Sequence, residues 1–312
     1  MNIYIIGGGD IGQRHIQSTL NFNSEHTINI VEINKENLDK CKKIAFGRKN
    51  YNFYSSLPEN KQIDLLFIAT TSSNRFDIFT NIVKKNVVTN IILEKVVFQI
   101  PSQYRACKKT LKLMKINCWI NNWPRTAEYF KEIKKKLLPE EPISMKVYGR
   151  SWGIACNASH YIDLFVFFAD IEQVNSMHFE IIKKFDSKRL GYKEFMGVMR
   201  VDQLDSSSLE MIDSEKHGGS IIVEVLQGRN TFKISEKNYK VFLESNVQGF
   251  EESFFKEPLQ SETSHININK ILKEGDCDLP KFILSYDWHS KMVSSFNSSL
   301  GIDPVNGKCP IT

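Results

Sequence analysis

The strongest constraint on the fold lies at the start of the chain, where "NIYII" (residues 2–6) runs directly into "GGGDIGQRH" (residues 7–15). The first run is short, apolar and β-branched, which predicts a strand buried on both faces. Gly7, Gly9 and Gly12 then give G-x-G-x-x-G at a strand-to-helix junction. The first glycine allows a tight turn, the second lets a pyrophosphate approach the backbone, and the third lets helix and strand pack closely. The backbone of Gly7, Gly9, Asp10, Ile11 and Gly12 would surround the helix N-terminus, whose unpaired N–H groups and positive dipole end suit phosphate. "TINIVEIN" reads as a second buried strand, with Glu32 twenty residues after Gly12. An acid there hydrogen-bonds the adenine-side ribose hydroxyls of a dinucleotide. It would also repel a 2′-phosphate, and Ile33 and Asn34 offer no arginine to hold one, so the expected cofactor is NAD rather than NADP.

Two further apolar runs, "DLLFIATT" (64–71) and "NIILEK" (90–95), alternate with helical stretches. This βαβα order predicts a doubly wound parallel sheet, and such sheets bind ligands outside the carboxyl ends of their strands. The residues expected there are Gly7, Glu32, Thr70, Thr71, Glu94 and Lys95.

The texture changes after about residue 120. "NNWPRTAEYFKEIKKKL" begins a helix, with Pro124 in its first turn and Ala127, Phe130, Ile133 and Leu137 on its inner face. The segment "ASHYIDLFVFFA" is too uniformly apolar for a surface helix and is expected to be buried, with His160 near its mouth. From 176 to 245 strand-like runs recur at short spacing, and "KHGGS" reads as a hairpin turn. They predict an open, mainly antiparallel sheet with helices on one face. "SIIVEVL" alternates poorly, which makes sheet-to-sheet self-association a natural way to cover the other face. In "KFILSYDWHSKMVSSFNSSL" apolar residues step by three or four, giving an amphipathic helix over 281–300 that is expected to return to the first lobe. His289 lies on its stripe and reads as a packing residue. The expected division is a dinucleotide-binding domain at 1–120, joined by the returning helix 281–300, and a substrate-binding and dimerisation domain at 121–280.

A chain of 312 residues is long enough for two such lobes, and its net charge of +5 is too mild to imply nucleic-acid binding. The basic run "KEIKKKLL" reads as the wet face of a helix. The six cysteines form no C-x-x-C pair and no His/Cys cluster with zinc-ligand spacing, so no metal site is expected. No apolar stretch approaches a membrane span, and no signal-type N-terminus is present, so the chain reads as cytoplasmic.

Taken together, these motifs resemble the Gfo/Idh/MocA oxidoreductases over nearly the whole chain. Gly7 to His15 match the family's G-x-G-x-x-G-x-x-H, Glu94 and Lys95 match its E-K-P, and His160 and Asp163 match its helix histidine and following aspartate. Asn121 and Arg125 correspond to its N-x-x-x-R. The resemblance implies an α/β two-lobe architecture. An N-terminal Rossmann doubly wound parallel sheet is followed by a C-terminal α+β lobe with a large open, mainly antiparallel sheet. It also implies reversible hydride transfer between nicotinamide and a secondary alcohol carbon. His160 would serve as general base or acid, biased toward neutrality by the helix dipole, and Lys95 would stabilise charge on the reacting oxygen. Two departures stand out. Val96 replaces the proline of E-K-P, and Cys156 stands where many sugar-oxidising members carry an aspartate four residues before the histidine. A thiol cannot supply that charge, although Asn157 can hydrogen-bond a substrate hydroxyl.

Asn157, Trp123, Arg125, Trp152 and Asp163 are the candidate substrate contacts, since tryptophan stacks on sugars or bases and arginine grips anions bidentately. This set suits an anionic or nucleotide-bearing sugar, and "WGIACNASHYIDLF" resembles a subgroup of the family associated with surface-sugar biosynthesis, including nucleotide-activated sugars. The tryptophans alternatively pack an interface, and Arg125 alternatively bridges helices. Two other functions use the same fold, a non-catalytic dinucleotide-binding regulator and an NAD-using glycosidase. A homodimer or homotetramer through the open sheet is expected.

Overall fold

The computed structural model describes residues 1–22, 26–238, 240–247 and 252–312. These residues divide into two compact units. The first takes in Met1–Phe98, Ala106–Asn121 and Pro258–Ile283, and the second takes in Gln99–Arg105, Asn122–Glu257 and Leu284–Thr312.

The first unit is built on six parallel strands, β1 (Asn2–Ile6), β2 (Thr27–Val31), β3 (Tyr51–Tyr54), β4 (Gln62–Ile68), β5 (Val87–Leu93) and β6 (Asn117–Ile120). Their order is β3-β2-β1-β4-β5-β6. The direction of winding therefore reverses between β1 and β4, the switch point at which such sheets bind ligands. Helices α1 (Asp10–Thr19), α2 (Lys35–Ile44), α3 (Arg75–Lys85) and α4 (Pro101–Met114) lie between the strands in sequence, α4 belonging to this unit from Ala106 onward. Ile3, Ile5, Ile28, Ile30, Leu65, Phe67 and Ile92 form one buried cluster, which is why these strands read as continuous apolar runs. The short outer strands β3 and β6 carry no comparable run and were not legible as strands.

The segment that returns to this unit differs from the expected one. Helix α7 (Gln260–Glu274) packs beside α1, and its Ile268 and Ile271, with Leu279 beyond it, enter the same apolar cluster. Helix α8 (Phe282–Ser299), read from sequence as the returning element, belongs from Leu284 onward to the second unit. There Phe296 meets Phe179 edge-on at 4.7 Å and lies 5.7 Å from Phe195. Ser299 of α8 donates to the Phe179 carbonyl, and His289 stacks on Tyr104, so the apolar stripe of α8 is buried within the second unit.

The second unit carries β7 (Ser144–Gly149), β8 (Ser176–Asp186), β9 (Lys193–Asp202), β10 (Ser208–Asp213), β11 (Ile221–Gln227), β12 (Asn230–Lys237), β13 (Lys240–Ser245) and β14 (Ser253–Lys256). Their order is β14-β13-β12-β11-β7-β10-β9-β8, antiparallel throughout except for the central β7–β10 pair. "KHGGS" is therefore not a hairpin turn. It lies between β10 and β11, which both pair with β7, so the link steps over a strand. A tight hairpin at Gly228–Arg229 instead joins β11 and β12. Met145, Val147, Met211, Val223, Val225, Phe232 and Ile234 are buried on the sheet. Alternating positions carry Lys146–Glu210, Arg200–Glu210 and Lys233–Glu244 ion pairs and the Tyr148–Glu224 hydrogen bond. Helices α5 (Glu128–Lys136) and α6 (Ile154–Ala169) belong to the same unit, preceded by a 3₁₀ turn at Trp123–Thr126 with Pro124 near its start. Twelve of the sixteen residues of α6 are buried, as its uniform apolarity demands.

Candidate active site

The glycine turn separates what the chain itself requires from what a ligand would require. Gly7 has φ +100°, and a Cβ on Gly12 would lie 1.8 Å from the Gly7 carbonyl oxygen. Both residues must be glycine for β1 and α1 to meet. Gly9 has φ −68° and ψ −173°, open to any residue, and a Cβ there would meet nothing within 4 Å. No neighbour among the described residues accounts for a glycine at this position. A pyrophosphate brought against the backbone at the N-terminus of α1 accounts for it, so the turn fits a dinucleotide.

Glu32, at the end of β2, is directed at the same turn. Its Oε2 accepts from Gly8 N at 2.6 Å and its Oε1 from Asn34 N at 2.7 Å. Each oxygen keeps a further lone pair for a ribose hydroxyl. Asn34 caps α2 by accepting from Asn37 N. At the end of β4, the Thr70 hydroxyl is buried with no hydrogen-bond partner among the described residues, while Thr71 reaches Ser73 and Asn74.

The end of β5 holds Glu94 and Lys95. The Glu94 carboxylate is buried and accepts from His15 Nε2 at 2.8 Å and from Asn121 Nδ2. Burial pushes its pKa up, but His15, Asn121 and Arg75 more than offset this and hold it below the ordinary glutamate value. Lys95 is half-buried, and the Lys95–Val96 peptide is cis. Arg75, at the start of α3, is 2 % exposed and donates to the carbonyls of Thr70, Glu94, Val96 and Val97. Sequence reasoning passed over Arg75. The available signal was a local conflict, since an arginine in the first turn opposes the helix dipole unless something else holds it.

In the second unit the 3₁₀ turn and α6 bring together Trp123, Arg125, His160 and Asp163. The Trp123 and His160 rings meet edge-on at 6.2 Å. Arg125 Nε donates to Asp163 Oδ2 at 2.8 Å and its Nη2 to the Asp163 carbonyl, while its guanidinium carbon lies 5.1 Å from the Phe167 ring centre. Asp163 is fully buried, and its Oδ1 has no hydrogen-bond partner among the described residues. Burial raises its pKa to about 7 against the opposing pull of Arg125. Arg125 thus bridges to α6, the alternative role read from sequence. Trp152 is buried, donates from Nε1 to the Ile212 carbonyl and meets Tyr161 edge-on, so it packs the unit. Cys156 and Asn157 are half-buried, and Asn157 donates to the Trp152 carbonyl.

The place of His160 corrects one expectation. It is the seventh residue of α6, two turns in, beyond the reach of the N-terminal dipole. The helix mouth is taken by two carboxylates that sequence reasoning missed. Asp213 accepts from Ser151 N and Gly153 N, and Glu194 accepts from Ala155 N at 2.6 Å. Burial raises both pKa values, and the backbone amides pull them back. His289 is fully buried between Trp288, stacked at 3.7 Å, and Tyr104, with its pKa pushed down to about 3 by burial, as suits a packing residue. Among the described residues no cluster of His, Cys, Asp or Glu could hold a metal ion, and no helix is long and apolar enough to cross a membrane.

Residues 1–121 match the model of an oxidoreductase family with an NAD-binding Rossmann fold. No curated protein sequence matches the chain. Solved structures resemble it over its length. UDP-N-acetylglucosamine 3-dehydrogenase GnnA from Acidithiobacillus ferrooxidans is 11% identical with a TM-score of 0.70, covering 96% of this chain and 98% of that one. Levoglucosan dehydrogenase in complex with NADH is 14% identical with a TM-score of 0.69, covering 100% of both. The transcriptional regulator Gal80p from Kluyveromyces lactis is 11% identical with a TM-score of 0.70, covering 97% and 94%. At these identities the likeness shows the fold alone.

Proposed function

Residues 1–121 belong to the Gfo/Idh/MocA oxidoreductases with an NAD-binding Rossmann fold, and from that premise we propose that the chain transfers a hydride between nicotinamide and a secondary hydroxyl or keto carbon of a sugar. The sugar is nucleotide-activated or anionic and belongs to surface-glycan biosynthesis. The observation that carries the cofactor half is Gly9, whose missing side chain leaves open space in front of α1. Gly7, Gly9, Asp10, Ile11 and Gly12 hold the pyrophosphate, Glu32 the adenine-side ribose, and Thr70 and Thr71 the strand-end side of the cofactor. When bound, NAD supplies the hydride acceptor.

The chain's own residues then orient the carbon, move one proton and stabilise charge on oxygen. His160 takes the hydroxyl proton during oxidation and returns it during reduction. Lys95, as a cation, hydrogen-bonds the reacting oxygen and lowers the pKa of its hydroxyl. Trp123 and Asn157, both half-buried, contact the sugar, while the Arg125–Asp163 pair and Trp152 hold their elements in place. The chain associates as a homodimer or homotetramer through the open face of the second sheet. That reading is supported by Phe254, which is 80% exposed and whose ring lies tilted against Phe242 at 4.7 Å.

In a screen of UDP-, GDP- and CMP-sugars with NAD held at saturation, Lys95→Ala and His160→Ala should each lower turnover by about a hundredfold or more while NAD still binds measurably. Full turnover in both variants would remove the assigned roles. A second reading, a non-catalytic dinucleotide-binding regulator, is favoured by Cys156 and by the fold shared with Gal80p. It predicts NAD binding with no turnover on any sugar of the panel.

A further inference from the structure

Lys95 stands between two anchored neighbours. On one side the Glu94 carboxylate is bonded to His15 and Asn121. On both sides the backbone is held by Arg75, which donates to the carbonyls of Glu94 and Val96 as well as Val97 and Thr70. The strand-end segment that presents Lys95 is therefore fixed by side chains from α1 and α3.

The α1 anchor is the informative one. His15 is the sixth residue of the helix that opens on the glycine turn, and it is fully buried. Its Nδ1 is 2.7 Å from Ser264 Oγ of α7, and its ring lies 4.1 Å from Phe67 of β4. Asn121 also donates to Gln260 at the start of α7. A buried imidazole held at both nitrogens and against one face has little room to adjust alone. A shift of α1 would therefore act through His15 on Glu94, and through Glu94 on the backbone beside Lys95.

We propose that His15, Glu94 and Arg75 are positioning residues for Lys95, and that His15 and Glu94 couple its placement to occupation of the glycine turn by a diphosphate. This assigns Glu94 to the protein framework rather than to the cofactor, and it rests on the reading of the glycine turn as the dinucleotide site.

The test uses ADP, which carries the diphosphate without nicotinamide, and needs no substrate. In calorimetry on the full chain, Lys95→Met and His15→Gln should each change ADP affinity by about fivefold or more. The double variant should be no worse than the weaker single, because both substitutions cut one connection. Effects that multiply in the double variant would overturn the proposal. A spectroscopic readout separates coupling from simple support of the fold. With lysines carrying ¹³C-methyl groups, the Lys95 resonance, assigned through Lys95→Arg, should move when ADP binds the native chain. It should stay in place in His15→Gln at saturating ADP. Should His15→Gln fail to fold, Ser264→Ala loosens the same ring from α7 and is expected to diminish the ADP-induced movement. A resonance that moves equally in the native chain and the variants overturns the coupling. Absence of ADP binding to the native chain would instead overturn the dinucleotide reading itself, so the two failures are told apart.

Discussion

At the scale of single residues, Gly9 and Gly12 look equivalent in the motif and are not. A methyl on Gly12 collides with the Gly7 carbonyl oxygen at 1.8 Å, whereas one on Gly9 meets only open space. Gly12→Ala should therefore destabilise the fold by about 3 kcal/mol or more, through overpacking that no rotamer can relieve. Gly9→Ala should leave the denaturation midpoint nearly unchanged and weaken NAD binding by tenfold or more, about 1.4 kcal/mol. Equal loss of stability in the two variants would refute the distinction. Glu236 on β12 makes a second residue-scale prediction. Its carboxylate is bonded to the Tyr161 hydroxyl, and burial, with Glu257 nearby, raises its pKa to about 7. A raised acid binds its proton more tightly in the folded state, so its contribution to stability falls as pH rises from the unfolded value of 4.5 toward 7. Glu236→Gln should be more stable than the native chain at pH 8, by roughly 1–3 kcal/mol, and the gain should vanish near pH 4. Urea titrations at the two pH values measure it.

At the scale of elements, α6 depends on groups outside its own sequence. Its first residues carry no capping side chain, and the amides at its mouth are served by Asp213 of β10 and Glu194 of β9. Asp213→Ala would leave the amides of Ser151 and Gly153 unpaired and should cost about 1–3 kcal/mol in chemical denaturation. Glu210→Ala, on the same strand but in an ion pair at partly exposed positions, should change stability by less than about 1 kcal/mol. Equal costs would show that the caps do not hold α6. The same comparison explains what was legible here. Uniform apolarity announced α6 as buried, but its caps come from strands about forty and sixty residues further along, and no local spacing reveals them. Arg75 is a similar case, because its partners are carbonyl oxygens, which every residue has.

At the scale of the whole molecule, the match over residues 1–121 does not mark a self-sufficient domain. The apolar cluster of the first unit includes Ile268, Ile271 and Leu279, so part of its core arrives after the chain has built the second sheet. A fragment of residues 1–121 should therefore be destabilised and bind NAD poorly. Fusing residues 258–283 to it should recover a cooperative thermal transition and NAD affinity. A stable, NAD-binding 1–121 fragment would show that α7 is dispensable to that core.

The amino-acid sequence by itself determined the glycine turn, the buried strands β1, β2, β4 and β5, the place of Glu32, and the burial of α6. Each of these rests on interactions between near neighbours or on a periodicity that burial imposes along a single element. Only the tertiary structure decided which C-terminal helix completes the first unit, that β7 and β10 run parallel, and which groups hold His15, Glu94, Arg75 and the mouth of α6. These are choices of partner between distant segments. Several apolar helices or carboxylates are locally equivalent for such a place, and shape and hydrogen-bond geometry in the folded chain select one.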